Sequence, residues 1–237
     1  MRRKKATREK DFAISLLALS CVLMFSTVSF AETKAGTVTR LRGPLFAKKL
    51  DGRTKALSVK SAVGHGDILI TKKKTYARIK FTDNGKIVLR PNTHFKVVQY
   101  YFDQTAPKKD SAVFHLARGG IRSITGMIGS RGDRDRYKFM TKTAVAGIRG
   151  TIYEARICEG DCGSIPDGLY FFIVEGSIIV SNSAGSQTFS AGQYVYVANE
   201  TSMPVLLPAN PGIDFTLPTS FETELEQLGP NEGCEVR

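Results

Sequence analysis

Three histidines and a few carboxylates are the residues from which catalytic or metal-binding chemistry would have to be built. His65, His94 and His115 fall in separate strand-like segments, without a cysteine, histidine or carboxylate at metal-ligand spacing. No serine stands in a Gly-x-Ser-x-Gly nucleophile elbow. Asp133 and Asp135 are close together, but the segment RGDRDR that contains them is typical of a charge-compensated, solvated loop. We therefore expect no metal, no cofactor and no enzymatic activity.

The positive charge is the strongest feature of the composition. Lys and Arg number 34 against 22 Asp and Glu, which gives a net charge of +12. Basic residues cluster in predicted loops, and the first cluster lies at a predicted hairpin turn. The candidates for contact with a partner are Lys72, Lys73, Lys74, Arg131, Arg134 and Arg136. Such loops attract anionic polymers, such as lipopolysaccharide or an acidic glycan, or an acidic envelope protein. The alternatives are that these charges only solvate the loops, or that an acidic tail of the same chain covers them.

The N-terminus has the organisation of a secretory signal peptide. Residues 1–11 contain six basic and two acidic side chains, and residues 12–30 contain no charge. Ser29 and Ala31 are small residues at the positions that precede a cleavage site. We expect cleavage after residue 31 and a periplasmic protein, which disfavours nucleic acid as a partner. The alternative is an uncleaved anchor in the inner membrane, with the rest of the chain facing the periplasm.

Two cysteines of the exported chain are close enough to pair. Cys158 and Cys162 bracket the residues Glu-Gly-Asp between two strand-like segments. In an oxidising compartment a disulfide across this loop is favoured. Cys234 makes the number of exported cysteines odd, so it is either a free thiol or replaces one member of that pair.

The histidines, basic clusters and cysteines named above lie in or between short segments whose apolar residues alternate with period two, as in β-strands. In Thr75–Phe81 every second residue is apolar, and Asp83-Asn84-Gly85 then supplies a turn. Further strand-like runs are Lys86–Arg90, His94–Phe102, Ala112–Leu116, Gly120–Ile124, Tyr137–Thr141, Ile148–Ile157, Leu169–Val174, Ser177–Ser181, Gln187–Ser190 and Tyr194–Ala198. The pattern predicts an all-β fold of stacked antiparallel hairpins, solenoid-like or sandwich-like.

The chain divides by composition into four parts. Residues 1–31 are the signal peptide, residues 32–59 an N-terminal β segment, residues 60–198 the main all-β domain, and residues 199–237 an acidic tail. The tail has six acids and one base from residue 201 onward, and Pro204, Pro208, Pro211 and Pro218 are expected to break regular strand pairing. Ser220–Leu228 is predicted either as a short helix capped by Ser220 or as part of a disordered tail. Asp83–Val98 and Ala184–Val197 also share a turn–strand–turn–strand pattern, which indicates either a repeat or a coincidence.

The segment Thr141–Tyr153, with the sequence TKTAVAGIRGTIY, resembles the central signature of the FecR domain family. Within it the signature residues are Gly147, Ile148, Arg149, Gly150 and Thr151. Gly64–Asp67, Arg118–Arg122 and Glu175–Val180 are similar to other family segments and follow in the same order. The resemblance spans roughly residues 60–198. Apart from the resemblance, Gly147 and Gly150 permit a bulge or a close backbone approach. Arg149 either has a structural role, pointing outward or pairing with a carboxylate, or contacts a partner.

The resemblance implies an all-β domain on the periplasmic face. The best-known members relay the state of an outer-membrane transporter to a cytoplasmic sigma factor. Here only eleven residues precede the apolar segment, where those regulators have a cytoplasmic anti-sigma segment, and no transporter-contacting module is apparent in the tail. We therefore expect a stand-alone, non-enzymatic binding or scaffold module of the cell envelope. The alternative is a sensor subunit that works with a separate membrane regulator.

Overall fold

The protein is built almost entirely from β-strands. The computed structural model describes residues 34–131 and 134–226, without the side chains of residue 134 and residues 223–226. The strands are β1 (Lys34–Arg42), β2 (Leu45–Lys48), β3 (Thr54–Leu57), β4 (Ala62–Gly64), β5 (Ile68–Thr71), β6 (Tyr76–Phe81), β7 (Lys86–Leu89), β8 (His94–Tyr101), β9 (Ser111–Ile124), β10 (Tyr137–Met140), β11 (Val145–Cys158), β12 (Gly168–Asn182), β13 (Gly185–Ser190), β14 (Tyr194–Val197) and β15 (Val205–Leu207). The helices are α1 (Met127–Arg131) and α2 (Thr219–Glu226), and short 3₁₀ turns span Pro107–Lys109 and Arg134–Arg136. The predicted all-β class is confirmed.

The strands form one large sheet with mainly antiparallel pairing. Its longest path runs β15-β14-β12-β11-β10-β9-β7-β6-β1-β4, and β10 pairs with β9 in parallel. The predicted turn at Asp83-Asn84-Gly85 connects β6 to β7, with Asn84 at a positive φ of 68°. Two pairs of predicted strands are single strands in the structure. Ala112–Leu116 and Gly120–Ile124 both belong to β9, and the two runs between residues 169 and 181 both belong to β12.

The sheet folds over on itself, so that its two layers enclose one core. The first half of β9 pairs with β8 and β10, whereas its second half pairs with β7 and β11. Aromatic rings from the two layers meet between them. Phe114 of β9 lies 5.0 Å from Phe81 of β6, and Phe139 of β10 lies 5.5 Å from Tyr153 of β11 and 5.9 Å from Phe171 of β12. Burial of these rings supplies much of the apolar contact that joins the layers.

Glycines allow β11 and β12 to continue through a bend. The β11–β12 register shifts after Arg149, at a bulge where Gly150 has a φ of +57°. Opposite this bulge Gly176 has a φ of +79°, and a Cβ atom there would lie only 2.3 Å from the carbonyl oxygen of Gly150. Only glycine fits such a close approach without displacing the neighbouring backbone.

The two segments suspected of forming a repeat have equivalent pairing. β7 pairs with the second half of β9, and β8 pairs with its first half, after a turn. In the same way β13 pairs with the second half of β12, and β14 pairs with its first half. The units differ in chain order, because β9 follows its two partners whereas β12 precedes them. The similar sequence patterns therefore correspond to the same pairing arrangement, in which two consecutive short strands pair with the two halves of one long strand.

The tail crosses the outer face of one layer. Residues 208–222, which we call the C-terminal strap, follow β15, and Leu217 and Phe221 pack on Val88. The expectation that the prolines prevent all pairing in the tail is wrong, because Val205–Leu207 pairs with β14. Pro204 and Pro208 flank that strand and so leave its ladder intact. The predicted short helix is present as α2, but it begins at Thr219, so Ser220 is a residue of the helix and not its N-cap as predicted.

The predicted signal peptide, residues 1–31, and Cys234 lie outside the described residues. Within the part of the chain that the structure describes, no helix is long and apolar enough to cross a membrane.

Candidate functional site

The strap crosses the layer that contains β7 and the second half of β9. The outer face of the other layer, which contains β8 and the first half of β9, is not covered by the strap, and we call it the open face. It consists of the outward positions of strands in the order β3-β2-β5-β8-β9-β10-β11-β12-β13, with only the first halves of β9 and β11 and the second half of β12. With about 4.8 Å between strands, this surface is about 40 Å wide. The inward residues of the same strands are buried in the core, so the face is one side of a half-buried sheet.

Strand register brings basic side chains from distant parts of the sequence onto the open face. Lys48 of β2 is opposite Ile68 of β5, which is opposite Lys96 of β8. Lys96 is opposite His115 of β9, and Met140 of β10 follows at the same level. Because side chains opposite each other in neighbouring strands lie side by side, these residues form one continuous row across the sheet.

Basic and apolar side chains alternate over the open face. Its cationic residues are Lys48, Lys96, Lys138 and Arg149, and the imidazoles of His94 and His115 accompany them. Its larger apolar residues are Phe46, Ile68, Ile70, Val113, Met140, Val145 and Ile179, all partly exposed. Among the described outward positions of these strand segments none is acidic, and the exposed Glu175 of β12 lies at the bend, two residues before Ser177. Asp135 contacts Lys138 at 3.3 Å from the margin, and its own side chain is 92% exposed, so this ion pair contributes little.

Arg149 lies on the open face by the regular alternation of β11, directly before the bulge. Ile148 points into the core, whereas Arg149 and Gly150 are exposed. The buried hydroxyl of Thr151 donates to the carbonyl oxygens of Arg149 at 3.0 Å and Ser177 at 2.8 Å, which fixes the backbone on either side of the bulge. Gly147 lies at an outward position opposite Lys138. The signature segment therefore builds the bend and leaves its arginine facing solvent.

The lysines of the predicted turn are exposed, but the turn is not a hairpin. Lys72–Lys74 connects β5 to β6, and these two strands pair with different partners rather than with each other. The prediction assigned the turn from local spacing, which does not show where the next strand goes. Lys72 lies over the ring of Phe46, 5.9 Å from its centroid, and so borders the open face.

The other arginine cluster is part of the loop structure. Arg131 makes an ion pair of 2.8 Å with the buried Asp110, and its guanidinium lies 4.9 Å from the ring centroid of Phe102. Arg136 donates to the carbonyl oxygen of Lys108. The side chain of Arg134 lies outside the described residues. Of the candidate arginines, Arg149 is thus on the open face, while Arg131 and Arg136 hold neighbouring segments together.

The histidines and cysteines of the described residues form no metal site, and two of the cysteines are paired. Burial, and to a lesser extent the nearby Lys96, lowers the pKa of His115, so this imidazole is neutral at physiological pH. The described residues contain no group of three potential metal ligands. Cys158 and Cys162 are joined by a disulfide, with their Cα atoms 5.6 Å apart.

Sequence reasoning overlooked Lys96 and Lys138 because each is a single basic residue within a strand, and it noted Lys48 only as part of the basic pair Lys48-Lys49 and not as a candidate site residue. The available signal was their position, since each alternates with buried neighbours and must point away from the core.

Comparison with known proteins identifies part of the chain. The family model described as "FecR protein" matches residues 67–178. No curated protein matches the sequence. Two crystal structures of a candidate anti-sigma factor from Parabacteroides distasonis are similar, each with a TM-score of 0.46, at 10% and 11% sequence identity. Each alignment covers 60% of this chain and 59% of the other, so the chain spans about six tenths of the length of these structures.

Proposed function

Residues 67–178 of this chain form a FecR domain, and from this premise we propose that the protein is a non-enzymatic binding module of the cell envelope. We propose further that it acts in the periplasm and binds lipopolysaccharide through the open face. The observation that supports this proposal most directly is the open face itself, a wide cationic surface without acidic outward residues.

The mixture of side chains on the open face favours an amphiphilic anion. Lys48, Lys96, Lys138 and Arg149 offer positive charge to phosphate groups. Between them the partly exposed Ile and Val side chains and the ring of Phe46 can contact acyl chains, which an acidic glycan lacks. A broad surface of this composition matches an array of anionic lipids better than it matches a small solute in a cleft.

Lipopolysaccharide binding tests this proposal by titration at low and physiological salt. Substitution of Lys48, Lys96 and Lys138 by Ser should weaken binding strongly, and salt should weaken binding of the wild type, because screening shortens the Debye length to about 8 Å. The melting temperature should change little, since these side chains are at the surface.

A second triple variant controls for net charge. Lys34, Lys60 and Lys80 are exposed lysines away from the open face, and their replacement by Ser removes the same number of charges. Equal losses in the two triple variants would show attraction to overall charge rather than a site. The Lys72–Lys74 triple variant measures whether the adjoining turn extends the site.

An acidic polysaccharide without acyl chains separates the possible anionic partners. The proposal predicts weaker binding to this polymer than to lipopolysaccharide, and a further loss of lipopolysaccharide binding when Ile68 and Ile70 are replaced by Ser. Equal affinity for both polymers would assign the face to acidic glycans. If neither polymer binds, an acidic envelope protein becomes the partner to seek, by in-cell crosslinking.

The FecR domain also supports a second function, that of a sensor subunit which works with a separate membrane regulator. Deletion of the gene distinguishes the two. A sensor should alter transcription of a transport or stress operon, whereas a binding or scaffold module should alter envelope integrity.

Export rests on the N-terminal sequence, and we propose cleavage after Ala31. N-terminal sequencing of the protein from the periplasmic fraction should give Glu32 as the first residue. Full-length protein in the inner-membrane fraction would instead indicate an anchor.

A further inference from the structure

The strap borders a second potential binding site, which is open to solvent and lies on the layer opposite the open face. A cavity of about 450 Å³ lies between the strap and strands β9, β11, β12 and β14. Its principal lining residues are Arg122, Glu154, Phe172, Tyr194, Phe215 and Glu222. Aromatic side chains and a few convergent polar groups line this open site, and such a combination is found in sites that bind polar small molecules at a protein surface.

Three aromatic rings form one wall of the cavity. Phe172 and Tyr194 are opposite each other on β12 and β14, with ring centroids 4.4 Å apart and planes 12° from parallel. Phe215 of the strap lies 6.1 Å and 6.5 Å from these two rings, at 29° to each. Rings that are nearly parallel do not surround a ligand from several sides, as an aromatic cage for a quaternary ammonium does. Phe172 and Tyr194 are stacked face to face and so cover one face of each other, which leaves the opposite face of each ring for stacking contact with a flat ligand.

The polar groups of the cavity include donors and acceptors. Glu154 is 2% exposed, and its carboxylate accepts from Arg90 at 2.6 Å and lies 3.5 Å from Arg122. The buried Nε of Arg122 has no hydrogen-bond partner in the described structure. Glu222 accepts from the backbone N–H of Leu217 through one oxygen. The Tyr194 hydroxyl makes no hydrogen bond to the described residues.

The charges of the lining restrict the chemistry of the ligand. Glu222 and the exposed Asp214 disfavour an anion, while Arg122 disfavours a cation. Hydroxyl groups suit this setting, because each can accept from an arginine N–H and donate to a carboxylate. A ligand with a stackable ring and several hydroxyls satisfies the aromatic wall and the polar groups together.

We propose that this cavity binds a neutral sugar, with the pyranose ring packed on the face of Phe172 that Tyr194 does not cover, and with Phe215 of the strap beside it. The hydroxyls bond to Arg122 and to the carboxylate of Glu222, while the buried Glu154 holds Arg122 in place. This site is separate from the open face and does not depend on lipopolysaccharide binding.

Titration of the full exported chain with maltotetraose and with chitotetraose tests the proposal, by saturation-transfer NMR and calorimetry. We expect saturable binding of at least one of these neutral oligosaccharides, with an affinity that does not change with salt. Removal of the tyrosine ring in Tyr194→Ala should weaken binding about tenfold, whereas Tyr194→Phe should lose only a few-fold. The melting temperature of each variant shows whether it is folded.

Tyr101→Ala is the matched control, since Tyr101 is a tyrosine on the open face that is 42% exposed and outside the cavity. It should bind sugar like the wild type. If Tyr194→Ala does not fold, Arg122→Gln keeps the aromatic wall and should still weaken binding severalfold. Absence of saturable binding up to about 10 mM, or equal affinities of wild type and the cavity variants, would overturn the proposal.

Discussion

The close approach of β12 to the bulge in β11 gives a sharp test of how the bend is built. Gly176 and Gly192 have nearly the same φ, +79° and +82°, so an alanine meets the same backbone strain at either position. Their surroundings differ. A Cβ at position 176 would lie 2.3 Å from the Gly150 carbonyl oxygen, whereas a Cβ at position 192 would have no atom within 4 Å.

The two substitutions should therefore have different costs. Gly192→Ala adds only left-handed strain, about 1–2 kcal/mol. Gly176→Ala adds the same strain and also forces two backbones apart, which costs about 1–3 kcal/mol more by analogy with overpacked cores. The total for Gly176→Ala is then about 2–5 kcal/mol.

Urea unfolding followed by far-UV circular dichroism measures both free energies of unfolding. Gly150→Ala serves as a further comparison, because Gly150 has a φ of +57° with open space around its Cβ position, and it should behave like Gly192→Ala. Equal destabilisation in Gly176→Ala and Gly192→Ala would refute the reasoning, since it would mean that β11 and β12 separate at no cost.

Three further outcomes are expected. Removal of the disulfide in Cys158→Ser/Cys162→Ser should lower the free energy of unfolding by about 2 kcal/mol, because the bond closes a short loop of sequence separation 4, and thermal unfolding with and without reductant checks this value. Arg90→Met leaves the Glu154 carboxylate buried without its closest partner and should cost about 3–5 kcal/mol near neutral pH. Burial raises the pKa of Glu154 and Arg90 opposes this shift, so the variant should regain stability as the pH falls from about 8 towards 5, and adding Glu154→Gln should abolish that recovery in urea titrations. Phe221→Ala removes a ring that is 1% exposed between strap and sheet, so hydrogen exchange should accelerate in the strap well before it does in the core strands.

The alternation of single residues was sufficient to predict individual strands. Ala77, Ile79 and Phe81 point inward in β6 as the pattern indicates, and the Asp83-Asn84-Gly85 turn is where the residue types place it. The pattern was less informative at glycine-containing bends, where β9 and β12 each were predicted as two strands. A bulge interrupts the period-two alternation of side chains although the strand and its hydrogen-bonded pairing continue. A prediction from alternation therefore ends the strand at the bulge, where the structure does not.

The open face was only partly predictable from the sequence, because it depends on which strands pair with each other. Lys48 and Lys96 are 48 positions apart in the sequence, and they share a row only because Ile68 of β5 pairs with both strands. The Lys72–Lys74 turn was placed correctly in the chain, yet its description as a hairpin failed for the same reason. Local residue spacing shows where the chain turns, but it does not show with which strand the next segment pairs.

The sequence by itself determined the all-β class, the positions of most strands, the family signature and the side of each strand on which a residue lies. These properties depend on backbone sterics and on the period of apolar residues, both of which act locally. Tertiary structure alone decided that one outer face is covered by the strap while the other remains open and basic. That difference depends on pairings between residues far apart in the chain and on the docking of Leu217 and Phe221 against Val88, which no local pattern encodes.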